Sequence, residues 1–455
     1  MHFPPPVSSV ARLIRRPLLT IALAGLAAGC GVEEALRDAL TPVPTPHEAY
    51  ALRLRGAGLE GTALGREWML AADRALRSPV AVSLPFRETG YWSPGEASSV
   101  GYRLPLRRGQ KLTLDLDVAD TAGADVFVDL FRDPADSAEA LDHVAHADSS
   151  ARTLEYEARR DGEYILRVQP ELLRGGRYTI TVRAGASLAF PVSGRDSRAI
   201  RSGFGADRDG GRRSHHGVDI FAPRGTPVLA AAQGRVRRVD ETNIGGKVVW
   251  LDAGGQRLYY AHLDSQIARP GQMVAIGDTL GLVGNTGNAR TTPPHLHFGI
   301  YQRGPVDPYP FVHEPRTTFD RLTASTADLG KWLRTSAERT TLRASPRASS
   351  ASVAELPRHT VVRIDGASGA WYRARLPDGA SGWLAASSAE PAHRPVRTER
   401  RAAAVVVRQG PLAAAPPLEN VAPGTQVPVL GSFADYLFVQ TPAGRIGWLA
   451  EAGID

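Results

Sequence analysis

The chain predicts a mainly β, multidomain architecture, and three features carry that expectation. Its 455 residues exceed what one hydrophobic core usually serves. Its 46 glycines and 34 prolines supply turns at the frequency that many short strands need. A long stretch alternates apolar with polar residues, and the C-terminal third repeats itself at a fixed spacing. With 43% hydrophobic and 22% charged residues, the composition is that of a globular protein.

Arg12, Arg15 and Arg16 precede the apolar run LLTIALAGLAAG, which is too short for a permanent membrane span and ends at Cys30, the only cysteine. Residues 1–29 therefore read as a signal peptide. Leu26-Ala27-Ala28-Gly29-Cys30 resembles the bacterial lipobox, which implies a lipidated Cys30 and a membrane tether. An exported chain with one cysteine forms no internal disulfide, so acylation gives this thiol a purpose. Gly31 follows in place of aspartate, which by the same resemblance points to the outer membrane of a Gram-negative cell. The net charge of +7 is carried almost entirely by arginine. No basic stripe with interleaved aromatics accompanies it, so nucleic acid is excluded as a partner.

Residues 30–82 read as a linker, LTPVPTPHEA, followed by a helical segment, REWMLAADRAL, in which Trp68, Leu70 and Ala71 share a face with Leu76. Residues 83–186 read as a β-sandwich. Leu112, Leu114, Leu116 and Val118 alternate with polar neighbours, as do Tyr164, Leu166 and Val168, and Tyr178, Ile180 and Val182. Its closing segment, GEYILRVQPELLRGGRYTITV, resembles the small prepeptidase-type sandwiches of secreted bacterial peptidases. Residues 187–315 hold the chemistry and 316–338 read as a linker. Then Leu342-Arg343-Ala344-Ser345-Pro346 is echoed by Val407-Arg408-Gln409-Gly410-Pro411, and Gly382-Trp383-Leu384-Ala385 by Gly447-Trp448-Leu449-Ala450, both 65 residues on. Two tandem small β-barrels are expected, over 339–390 and 400–455. They resemble bacterial Src-homology-3-like domains, which implies binding to the cell wall. The repeated tryptophans fit barrel-end packing better than ligand stacking.

Five of the twelve histidines fall between positions 215 and 297. They form three groups: SHHGVD from Ser214 to Asp219, YYAHL around His262, and PHLHF around His295 and His297. In a strand, residues two apart share a face, so His295 and His297 point one way while Leu296 and Phe298 enter the layer behind. Zinc favours nitrogen and oxygen ligands, and a catalytic site uses three of them with the fourth position left to water. His216, next to His215 in an extended segment, should point away from any such centre.

H-x-x-x-D, Y-x-H-L and H-x-H, in that order, resemble the lysostaphin and LytM-type zinc metallopeptidases. SGFGADRDGGRRSHHGVDIFAPRGTPVLAAAQGRV, KVVWL and GQMVAIGDTLGLVGNTG continue the likeness from about Pro191 to Pro310. The resemblance implies an antiparallel β domain with a groove, one zinc ion held by His215, Asp219 and His297, and catalytic roles for His262 and His295. One of these two would help deprotonate water and the other would stabilise the tetrahedral intermediate. It also implies peptidoglycan peptides as substrate, with D-alanyl crosslinks the expected bond in a Gram-negative cell. Two alternatives stay open: a noncatalytic scaffold or amidase activator on the same fold, and a zinc peptidase acting on proteins.

Overall fold

The computed structural model describes residues 43–119, 125–134, 139–148, 151–208, 210–315 and 318–451. The expected signal peptide and Cys30 lie outside the described residues. Among the described residues, no helix is long and apolar enough to cross a membrane.

Two helices come first, Pro46–Gly56 and Ala63–Arg77. The earlier one occupies part of the stretch read as linker. Thr45 Oγ1 accepts from Glu48 N at 3.2 Å and Glu48 Oε2 accepts from Thr45 N at 2.8 Å, a reciprocal cap with Pro46 in the first turn. The second helix buries Trp68, Ala71, Ala72, Ala75 and Leu76, whereas Leu70 is 43% exposed. This corrects the expected face. Each helical residue turns about 100°, so Ala72 returns to the side of Trp68 while Leu70 lies nearly opposite.

The sandwich forms as the alternation requires. One sheet runs in the order Val80–Ala81, Val100–Leu106, Gly162–Pro170, Val126–Asp133, Asp142–His146. The other contains Phe86–Trp92, Gly176–Ala186, Gln110–Val118 and Thr153–Glu157. Leu112, Leu114 and Leu116 meet Tyr164, Leu166, Val168, Tyr178, Ile180 and Val182 in one core. The helices pack on the first sheet, where the Trp68 indole donates to Pro170 O at 2.9 Å.

The second sheet does not stop at the sandwich. Phe86–Trp92 pairs with Val361–Ser368 of the first C-terminal unit, matching Thr89 to Ala367 and Gly90 to Gly366. Beside this seam Glu88 is wholly buried. Its Oε1 accepts from Tyr102 OH at 2.8 Å, Tyr178 OH at 3.0 Å and Arg373 Nη2 at 3.0 Å.

The repeat is structural as well as sequential. Strands Ser352–Pro357, Val361–Ser368, Trp371–Arg375 and Ser381–Ala385 recur as Pro417–Val421, Gln426–Phe433, Tyr436–Gln440 and Ile446–Ala450, each starting 65 residues later, with the same strand order. Trp332–Thr335, inside the stretch read as linker, recurs as Arg397–Arg400, so each unit begins earlier than expected. Trp383 is fully buried in the sandwich core, its ring 5.9 Å from Phe86. Trp448 is buried against Phe438 and Trp332, with ring centroids at 4.8 and 6.1 Å. Each repeated tryptophan thus plugs its unit onto the element before it.

The chain between the sandwich and the repeats forms a ten-stranded antiparallel sheet. Its central order is Ile200–Ser202, Val218–Phe221, His295–Tyr301, Gln256–Gln266, Gly246–Ala253, Gly234–Thr242. Val218, Ile220, Leu258, Tyr260, Leu296, Phe298 and Ile300 fill the core on one face. The short helix Tyr309–Val312 rests on the sandwich sheet opposite the N-terminal helices.

Candidate metal centre

Strand register brings the candidate residues together. Asp219 lies directly opposite His297, Ile220 opposite Leu296 and Phe221 opposite His295, while Ala261 flanks His297 from the other side. With a side-chain period of two, Asp219, His295 and His297 share the face away from the core, and Leu296 points into it. His215 enters from the segment before the Asp219 strand.

Three donor atoms form a near-equilateral triangle. His215 Nε2 is 2.9 Å from His297 Nδ1 and 3.0 Å from Asp219 Oδ1, and His297 Nδ1 is 3.0 Å from the same oxygen. His215 Nδ1 lies 2.7 Å from Gly203 O, which only accepts, so the proton sits on Nδ1 and Nε2 presents a lone pair. An ion bound tetrahedrally at about 2.0–2.1 Å sets its donors about 3.3 Å apart. Two imidazoles and a carboxylate, nearly at that spacing, fit a small divalent ion. Burial alone would raise the Asp219 carboxyl, but the adjoining His215 and His297 imidazoles outweigh it and hold it well below the usual range. Burial lowers His297 against the pull of Asp219.

Two further imidazoles flank the triangle in one orientation. His262 Nδ1 donates to Thr286 O at 2.9 Å and His295 Nδ1 to Pro293 O at 2.9 Å, so in both rings Nε2 is the edge left free of a backbone carbonyl. His295 Nε2 lies 3.9 Å from Asp219 Oδ1, and the two rings are 5.0 Å apart. Burial, then the neighbouring His295 and His297, lowers His262 to about 4, so it is neutral near pH 7. His262 adopts φ +61°, a left-handed backbone that costs a non-glycine residue on the order of 1 kcal/mol or more. The bulge beside it allows this, and His262 N donates to Gly245 O at 2.8 Å. At Gly246 a Cβ would come within 2.5 Å of Gly287 N, so glycine there lets the loop that carries Thr286 approach.

Residues 213–308 match the model of peptidase family M23, and residues 338–390 match the bacterial SH3 domain. Residues 213–308 form an M23 peptidase domain. Over 27% of this chain and 42% of its own length, an L-Ala–D-Glu endopeptidase of Bacillus subtilis is 37% identical. The peptidoglycan DD-endopeptidase ShyC of Vibrio cholerae is 34% identical over 26% of this chain and 28% of its own length. This chain thus spans less than half the length of these curated relatives. The catalytic domain of lysostaphin from Staphylococcus simulans is 33% identical over 24% of this chain and 87% of that chain, with a TM-score of 0.22.

The M23 domain gathers all five residues singled out in the sequence into one cluster, with His215, Asp219, His262 and His295 buried and His297 half-buried. Exposed His216 leaves it and faces Phe204, ring centroids 6.5 Å apart. Sequence reasoning missed Arg208, whose Nη2 lies 2.8 Å from Asp219 Oδ2. In sequence it is one more arginine of a glycine-rich loop, and nothing in its spacing marks the contact. The floor of the M23 sheet continues from His297 into Tyr259, Trp250 and Tyr301, with Tyr259 edge-on to His297 at 5.8 Å.

Proposed function

We propose that the protein is a zinc-dependent endopeptidase that hydrolyses peptide bonds in the stem or crossbridge peptides of peptidoglycan. The observation that carries this reading is the His215–Asp219–His297 triangle with two imidazole Nε2 edges beside it. Zinc in that triangle would supply polarisation of the scissile carbonyl and a water of lowered pKa. His215, Asp219 and His297 would hold the ion. Of His262 and His295, one would take a proton from the attacking water and the other would hydrogen-bond the oxygen of the tetrahedral intermediate. The carbonyls of Thr286 and Pro293 keep both rings turned so that Nε2 faces the centre.

The names of the Bacillus and Vibrio relatives support wall peptides as the substrate class. The paired SH3-like units suit wall binding by the rest of the chain, and export with a lipid tether at Cys30 would place the enzyme at the wall. Purified muropeptide dimers provide the test. Protein stripped by a chelator should leave them intact, and zinc reloading should restore cleavage, seen as two products whose masses sum to the dimer plus water. Equal cleavage by stripped and reloaded protein would overturn the reading.

A further inference from the structure

The geometry points to Arg208 as a positioning residue for the metal centre. It holds Oδ2 of Asp219 so that Oδ1 alone is presented to the ion, an inference that rests on the zinc reading above. Arg208 lies on the strand Asp207–Arg208, which pairs with Arg213–Ser214 and so runs directly into His215. Its Nη2 donates to Asp219 Oδ2 at 2.8 Å and to Ser202 Oγ at 2.6 Å. Ser202 is itself opposite Asp219 in the sheet, so the guanidinium clips onto one cross-strand pair. The two carboxylate oxygens therefore differ in their partners. Oδ1 faces His215 Nε2 and His297 Nδ1, and Oδ2 faces the Arg208 guanidinium.

The same short segment supplies the other outer contacts. Gly203 O accepts from His215 Nδ1, Gly205 N donates to His215 O at 2.8 Å, and His215 N donates to Ala206 O at 2.9 Å. Ser202 through Arg208 thus orients two of the three ligands, His215 through the backbone and Asp219 through one side chain. Partners outside the ligands commonly set metal affinity because they fix ring and carboxylate orientation before the ion arrives. Arginine suits this place, since its guanidinium is permanently charged and the two hydrogens of Nη2, held in plane, reach Oδ2 and Ser202 Oγ together.

The test uses the full chain and zinc itself. Zinc affinity is measured by competition with a chromophoric chelator for wild type, Arg208→Ala, Arg208→Lys and Ser202→Ala, with thermal unfolding of the metal-free forms alongside. Arg208→Ala is expected to bind zinc about 10–100-fold more weakly. Arg208→Lys should recover part of that loss, and metal-free unfolding should stay unchanged. In cobalt-loaded protein, Arg208→Ala should weaken the visible absorption as a freed Asp219 adds its second oxygen to the ion. Zinc affinity of Arg208→Ala within twofold of wild type, or tighter, overturns the assignment, as does a loss that merely follows a drop in metal-free stability. If wild type itself fails to bind zinc, the zinc reading falls and Arg208 with it. Tight wild-type binding with an indifferent Arg208→Ala overturns the Arg208 role alone.

Discussion

His262 and His295 resemble the proposed ligand His215 in spending Nδ1 on a backbone carbonyl, and differ from it in one respect: neither joins the triangle. Replacing either with alanine is therefore expected to leave zinc content near one per chain while lowering turnover by about 10²–10⁴-fold, the usual worth of a positioned acid or base. Metal analysis and muropeptide kinetics on the same preparation check this. His216→Ala, removing an exposed ring outside the cluster, should change neither. The division of PHLHF was legible because a strand has a period of two and Leu296 needed a core to enter. That Asp219 stands opposite His297 was not legible, because register across some eighty residues is settled by packing and turns. Arg208 was hidden for a related reason: its partner is set by how the hairpin folds back.

At the scale of elements, the N-terminal helices are held by an aromatic nest. His47 stacks on Trp68 at 4.7 Å, meets Phe127 edge-on at 5.7 Å and shares a hydrogen bond with Gln169 at 2.9 Å. Burial, aided by the Arg167 charge, lowers His47 from 6.5 to about 4. Because the folded value lies below the unfolded one, its stabilisation is complete above pH 6.5 and is lost as pH falls toward 4. The whole loss is on the order of 3 kcal/mol. Protection factors for amide exchange across residues 46–77 should fall through that window, and His47→Phe should flatten the response. The second helix was evident from its apolar spacing. The first was overlooked although Thr45-Pro46-His47-Glu48 carries a capping box with a first-turn proline, because proline-rich sequence around it reads as linker.

For the molecule as a whole, the accessory elements form joints rather than a loose string. The sandwich sheet continues into the first SH3-like unit, Trp383 enters the sandwich core, and Glu88 and Arg373 pair behind it. Trp383→Ala removes a fully buried indole and should cost about 3–5 kcal/mol. Arg373→Met strands the Glu88 carboxylate and should cost a similar amount, because a lone buried charge is worse than a buried pair. Denaturant unfolding followed separately in the sandwich and the C-terminal units should show both variants weakening the joint. The 65-residue repeat was plain in the sequence and its tryptophans were rightly read as packing residues. What each one packs against was not, since Phe86 lies far upstream of Trp383 and only the assembled fold brings them together.

We propose that one zinc centre, built from His215, Asp219 and His297, cuts the peptides of the wall. Its most direct test is digestion of isolated sacculi by wild type and by His297→Ala, with bound zinc measured in both samples and released fragments resolved by mass. Wild type should carry one zinc per chain and release peptide-cleaved muropeptides, while His297→Ala should lose the metal and release none. Equal release by the two proteins, or a zinc-loaded wild type that leaves every wall peptide bond intact, would contradict it.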